Sequence, residues 1–340
     1  GRPAEVTSHC NHASTMKRLF VRLTAAAVAL SAPVHAQLKL AEGTTLDFAT
    51  PDEAREILTR RDDFVERMSP FDRAARMKTD RQVSEAEYLE FVGRNVLAWE
   101  QADREKIAAV VQSLQRELAA FSLPWPKRVL AIQTTGDEEG RAAYTRANAI
   151  VFPKGDAANP IANLRKSICH ELFHVLSRAN PQLREKLYAA IGFVMCDEVA
   201  FPAELRARKI TNPDAPRNDH CIRLQVGGAD LWAVPILFSR TEKYDLQRGG
   251  EFFRYLEFRF LLVERPEGSS AVKPIYDGPK ARLATLREVQ GFYEQVGQNT
   301  GYILHPEEIL ADNFELLVLQ EPNVRSPEII KKLEAILKEK

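Results

Sequence analysis

The chain is expected to fold as an α+β protein, and three observations predict it. Charged amphipathic segments fill the first third, β-type runs begin at Arg128, and helical patterns return around His170 and after Pro306. Length and composition agree, because 340 residues with 45% hydrophobic and 28% charged content can bury a sizeable core. Lys plus Arg and Asp plus Glu number 47 each, so no whole-chain field favours nucleic acid or an anionic membrane surface.

Taken in order, Met16-Lys17-Arg18 opens a basic segment, the apolar run Leu23 to Ala32 follows, and Val34-His35-Ala36 closes it. That is the pattern of a secretory signal peptide. Residues 1–15 read as an upstream extension, and the His9, Cys10 and His12 spacing is set aside with it. Gln37 rather than Cys follows the expected cut, which disfavours a lipid anchor. The apolar run is shorter than the roughly 20 residues of a membrane span. The expectation is a periplasmic or secreted protein with no stable membrane insertion after signal removal. Its parts are an extension and signal (1–36), a helical region (37–125) and a main domain (126–340). Beyond the leader stand Cys169, Cys196 and Cys221, of which Cys196 and Cys221 are the expected disulfide and Cys169 a packing residue.

Helices are expected over Pro51 to Met68, Ser84 to Trp99 and Asp103 to Leu118, where apolar residues recur at three and four spacing. Pro124-Trp125-Pro126 breaks the chain, and strands follow over Arg128 to Thr134 and Asn148 to Phe152. A helix opens at Asn159-Pro160 and stops before Asn180-Pro181, with another over Gln182 to Val194. The middle third, with apolar runs at Leu231 to Phe238 and Phe252 to Val263, reads as strand and loop. Pro306 starts a helix to Leu319, and Ser326 with Pro327 and Glu328 starts the last one.

His170-Glu171-Leu172-Phe173-His174 fits HExxH. Two histidines one helical turn apart face the same way and can offer imidazole nitrogens to one zinc ion. Glu171 is placed to act as general base toward a metal-activated water. Leu164, Ile168, Leu172, Val175 and Leu176 supply the apolar stripe that would hold this helix in a core. A catalytic zinc takes three protein ligands. The metzincin pattern is absent, since Ser177 and Asn180 stand where it needs Gly and His. The favoured third ligand is Glu308, because Asp312 four residues on shares its helix face and can accept the free ring N–H of a ligand histidine. Rivals are Glu198, which lacks such a partner, Glu307, which points about 100° away from Glu308, and His220.

HExxH followed by Glu-x-x-Ala-Asp resembles the gluzincin group of zinc peptidases. The resemblance implies a zincin-like fold: a small twisted sheet, an active-site helix beneath it, and an edge strand that aligns extended peptide. By that analogy Asn148 to Phe152 is the edge strand, the distance between the two motifs reflects an inserted middle segment, and the substrate is a peptide or protein. Tyr302 and His305 are the candidates for stabilising an oxyanion. The expected activity is zinc-dependent hydrolysis of peptide bonds. The competing readings are a non-catalytic envelope binding or assembly protein on the same scaffold, and a zinc hydrolase of a non-peptide amide.

Overall fold

Side-chain alternation along one strand sets the architecture. In Arg128–Thr134, Val129 and Ala131 enter one core while Leu130 and Ile132 enter another, so the sheet is buried on both faces. The computed structural model describes residues 38–339, and the expected signal segment and extension lie outside the described residues. Residues 38–339 form one compact unit of α+β type.

The chain begins with β1 (Leu38–Ala41) and β2 (Thr44–Phe48), then α1 (Pro51–Leu58), α2 (Asp63–Arg67), α3 (Pro70–Arg76), α4 (Glu85–Asn95), β3 (Val96–Leu97) and α5 (Gln101–Leu118). β4 (Arg128–Thr134), β5 (Tyr144–Arg146) and β6 (Ala149–Pro153) complete the first sheet, in the order β1-β2-β4-β6-β5 with β3 also on β4. The region 37–125 is therefore not purely helical. Its first residues are strands, and β2 pairs in parallel with β4 across the expected boundary at 126. Helices α1 to α4 cover the Leu130 face of the sheet, with Leu58, Phe64, Tyr88 and Val92 buried against it.

Two sequence expectations change here for local reasons. Pro51 to Met68 is two helices rather than one, because Asp62 caps α2, its Oδ1 accepting from Val65 N at 3.2 Å. The expected edge strand at Asn148 to Phe152 lies inside the sheet, since β6 pairs with β4 on one side and antiparallel β5 on the other. The edge is β5, too short and too mixed to show a period.

α6 (Ile161–Ala179) and α7 (Pro181–Ala190) follow, then β7 (Phe193–Met195) and α8 (Ala203–Arg206). The helix expected to reach Val194 stops at Ala190, because Gly192 adopts φ 84° and Phe193–Met195 joins a strand ladder. A Cβ on Gly192 would stand 2.2 Å from Gln295 Oε1. The middle third is a second, antiparallel sheet built on β7, β8 (His220–Val226), β9 (Ala229–Ser239) and β10 (Leu256–Glu264). Its face carrying Ile222, Leu224, Phe260 and Leu262 shares the core under the first sheet. α9 (Phe292–Val296), α10 (Pro306–Val318) and α11 (Pro327–Leu337) close the chain. Ser326 holds the expected position before α11, yet its hydroxyl accepts from Gln298 N at 2.9 Å instead of capping the helix. Among the described residues no helix is long and apolar enough to cross a membrane.

Candidate metal centre

α6 is fixed by its apolar stripe. Leu164, Ile168, Leu172 and Leu176 are fully buried in the core that also takes Ile150 and Phe152 of β6. α10 packs beside it, with Phe314 against Phe173 at 5.6 Å between ring centroids. Two apolar seams thus set the distance between the helix that carries both histidines and the helix that carries Glu308. On α6 the four-residue spacing brings the rings of His170 and His174 to 4.8 Å, edge to face.

Each of His170, His174 and Glu308 offers one ligand atom, and these atoms all lie within 4.8 Å of one another. Glu308 Oε2 is 3.1 Å from His170 Nε2 and 3.6 Å from His174 Nε2. Behind them, Asp312 Oδ1 is 2.8 Å from His170 Nδ1, and Thr300 donates to the other Asp312 oxygen. Glu307 does the same for the second histidine, with Oε1 at 3.1 Å from His174 Nδ1. Its Oε2 accepts from Ser177 at 2.8 Å and Tyr188 at 2.5 Å. The offset of about 100° that sets Glu307 apart from Glu308 is what lets neighbouring glutamates serve different atoms of the cluster. Adjacent acids at the start of a helix opposite HExxH were the available signal for this role.

The electrostatics describe a cluster short of positive charge. Burial works against charge on His170, yet hydrogen bonds to Asp312 and Glu308 push it up to about 10. Burial also opposes the His174 cation, but Asp214 and Glu308 hold it well above the usual histidine range. Glu308 is held well below the ordinary carboxylate range against the cost of burial, by His174 and His170. Burial, reinforced by Asp214, pushes Glu171 up to about 8. His174 Nε2 and Glu171 Oε2 are buried without a hydrogen-bond partner. Five carboxylates around two imidazoles, with an imidazole nitrogen left unsatisfied among them, fit a bound cation. His170, His174 and Glu308 are the residues that can hold it.

Other expected residues take different places. Tyr302 stands at the cluster, its ring centroid 6.2 Å from that of His170, and the Glu308 carboxylate keeps its hydroxyl protonated. His305, the other expected residue, takes a structural place. It is the buried cap of α10, its Nδ1 accepting from Glu307 N at 3.1 Å. Of the rival ligands, Glu198 pairs with Arg67 at 2.7 Å, and His220 is held between Asp219 and Glu185 at 2.7 and 3.0 Å. Cys196 and Cys221 are free thiols rather than the expected disulfide. The β7–β8 ladder, which pairs Val194 with Cys221, brings the two cysteines near each other. Cys169 is buried in the core, as packing requires.

Two residues of the cluster carried no readable sequence signal. Asn212 Nδ2 donates to Glu308 Oε1 at 2.5 Å. Asp214 forms a second group of potential ligand atoms with Glu171 and His174, again within 4.8 Å. Both lie in an irregular Pro-bearing segment of the middle third, which no periodicity places. Comparison with protein-family models, with curated proteins and with solved structures finds no match.

Proposed function

We propose that the chain is a zinc metallopeptidase of gluzincin type on a zincin-like scaffold, hydrolysing peptide bonds. One observation carries the reading: Glu308 and the two HExxH histidines converge, while the carboxylates of Asp312 and Glu307 engage the outer ring nitrogens. Two imidazoles and one carboxylate are a donor set suited to zinc with an open fourth position. When bound, zinc would supply Lewis-acid polarisation of the scissile carbonyl and a hydrolytic water of lowered pKa.

The chain's own residues would do the rest. Asp312 and Glu307 fix the tautomers of His170 and His174, leaving each Nε2 free to bind. Glu171, buried beside His174, takes the proton of the hydrolytic water and returns it to the leaving amine. Tyr302, its ring 6.2 Å from that of His170, would offer a protonated hydroxyl as oxyanion donor. β5, antiparallel on the edge of a sheet packed over α6, would align an extended peptide. The basic, apolar and small-residue pattern of 16–36 supports a periplasmic or secreted location.

The test is elemental analysis of the full chain after zinc loading, paired with a peptide-library turnover assay. One zinc per chain is expected in the parent and in Glu171→Gln, and little in Glu308→Ala. Glu171→Gln should lower turnover by about 10²–10⁴-fold. Absence of zinc at neutral pH, or hydrolysis undiminished in Glu171→Gln, would sink the reading. A non-catalytic binding or assembly role on the same scaffold is favoured by one observation, the covering of Glu308 by Asn212. It predicts bound zinc with no turnover of peptides or other amides.

A further inference from the structure

One segment bridges the sheet edge and the metal-ligand helices. Asp214 Oδ1 accepts from Thr145 N on the free side of β5 at 2.7 Å and from Thr145 Oγ1 at 2.5 Å. Arg178, one turn past His174 on α6, donates to Thr145 Oγ1 at 2.8 Å and to Asp214 O at 3.3 Å. Two residues before Asp214, Asn212 reaches Glu308 at 2.5 Å and also accepts from Asp214 N at 2.9 Å. Cavities of about 500 Å³ and about 40 Å³ both have Pro213 and Asp214 in their walls, so space adjoins the segment at these residues.

We propose that residues 211–217 form a built-in substrate mimic, with Asp214 as a displaceable ligand at the metal site. The proposal rests on the metallopeptidase reading. The backbone N–H of Thr145 is the donor that an added peptide strand would use on β5, and the Asp214 carboxylate holds it. The same carboxylate offers an oxygen within 4.8 Å of ligand atoms on Glu171 and His174, next to the general base and one of the metal-ligand histidines. While the segment is down, the β5 donor that a substrate strand would use is taken, and a carboxylate stands beside Glu171 in competition with water.

The anchors show how it would open. Thr211 is pinned in the core, its N–H donating to Asp72 at 2.8 Å and its carbonyl accepting from Arg76 at 3.0 Å. At the other end Arg217 pairs with Asp63 at 2.9 and 3.0 Å, and both side chains are about half exposed. Between these ends stand Asn212, Pro213, Asp214, Ala215 and Pro216, of which only Pro213 is fully buried, while Asn212 and Asp214 hold the segment by hydrogen bonds. Pro213 and Pro216 stiffen the backbone, so Thr211 is the pivot and the Arg217 pair is the release point.

The test uses the full chain with cobalt replacing zinc, titrated with acetohydroxamate and followed by visible absorption. Parent protein should bind cobalt but take the hydroxamate weakly. Asp214→Ala, and Arg217→Ala at the remote release point, should each bind it up to about tenfold more tightly, as expected if the closed form holds nine-tenths of the population. Asp214→Asn retains an acceptor for Thr145 and serves if the alanine variant does not fold. It too should bind more tightly, through loss of the carboxylate ligand. Normal cobalt uptake with parental hydroxamate affinity in the Asp214 and Arg217 variants would overturn the mimic alone. A parent that takes up no cobalt would overturn the metal reading and the mimic with it.

Discussion

The two sides of the metal-ligand cluster are held by different forces. On one side α6 and α10 meet through Phe173, Phe314 and a continuous apolar core, so His170, His174 and Glu308 are placed by close packing. On the other side the segment 211–217 is held by hydrogen bonds: Asn212 donates to Glu308 of the cluster, Asp214 accepts from Thr145 of β5, and Arg217 donates to Asp63. Packing resists displacement because any gap forfeits many contacts at once, whereas each polar contact can be exchanged for water at small net cost. The helical side is built to stay and the segment is built to leave.

The largest expected effect would break this contrast at the segment's one firm anchor. Arg76 is fully buried between Asp72 and Glu139, with its guanidinium 4.1 Å above the Phe252 ring, and it also holds the Thr211 carbonyl. Arg76→Met would leave two buried carboxylates without their cation, and should cost about 3–5 kcal/mol in urea unfolding. A loss under about 1 kcal/mol, the ordinary worth of a surface pair, would mean that Thr211 is not firmly anchored.

A somewhat smaller effect tests the helical side through pH. Burial, with His220 nearby, lowers His305 from 6.5 to about 4 in the folded protein. The native state favours neutral His305, so its contribution is complete above pH 6.5 and is lost as pH falls from 6.5 to 4. The loss amounts to about 3 kcal/mol. His305→Asn, which keeps a capping acceptor for Glu307 N, should show a shallower acid limb in unfolding curves over that window. An unchanged limb would argue against a neutral buried cap at α10.

The smallest effect sharpens the contrast within the cluster. Asp312→Ala removes the partner of His170 Nδ1 without touching a ligand atom, and should weaken zinc by about 10–100-fold in a chelator competition. Thermal stability of the zinc-free chain should move little, because apolar packing, not this bond, positions α6. A large loss of zinc-free stability would mean that polar contacts hold the helical side as well.

Much of this was legible along the chain. β4 lies over Arg128–Thr134 as its apolar run indicates, and α6 and α10 follow their three-and-four periodicity. Glu308 and Asp312 share one helix face as their spacing requires, and both meet His170. β5 escaped notice because three residues carry no period, and the edge-strand expectation fell on its longer neighbour. His305 looked like a site residue because it precedes Glu308, but the helix start turns it toward its own backbone. Asn212 and Asp214 were invisible because loop residues acquire their partners only from the distant elements that pin the loop.

By itself the sequence determined where α4, α5, α6, α10 and α11 form, which faces of α6 and α10 are apolar, and which histidines and glutamates can share one ion, since these depend on spacing along a regular element. Tertiary structure alone decided that Glu307 serves His174, that β5 is an edge strand, and that Asp214 stands beside Glu171. Each of those depends on the relative placement of segments far apart in the chain, which the packing of two sheets and α6 fixes and no local periodicity encodes.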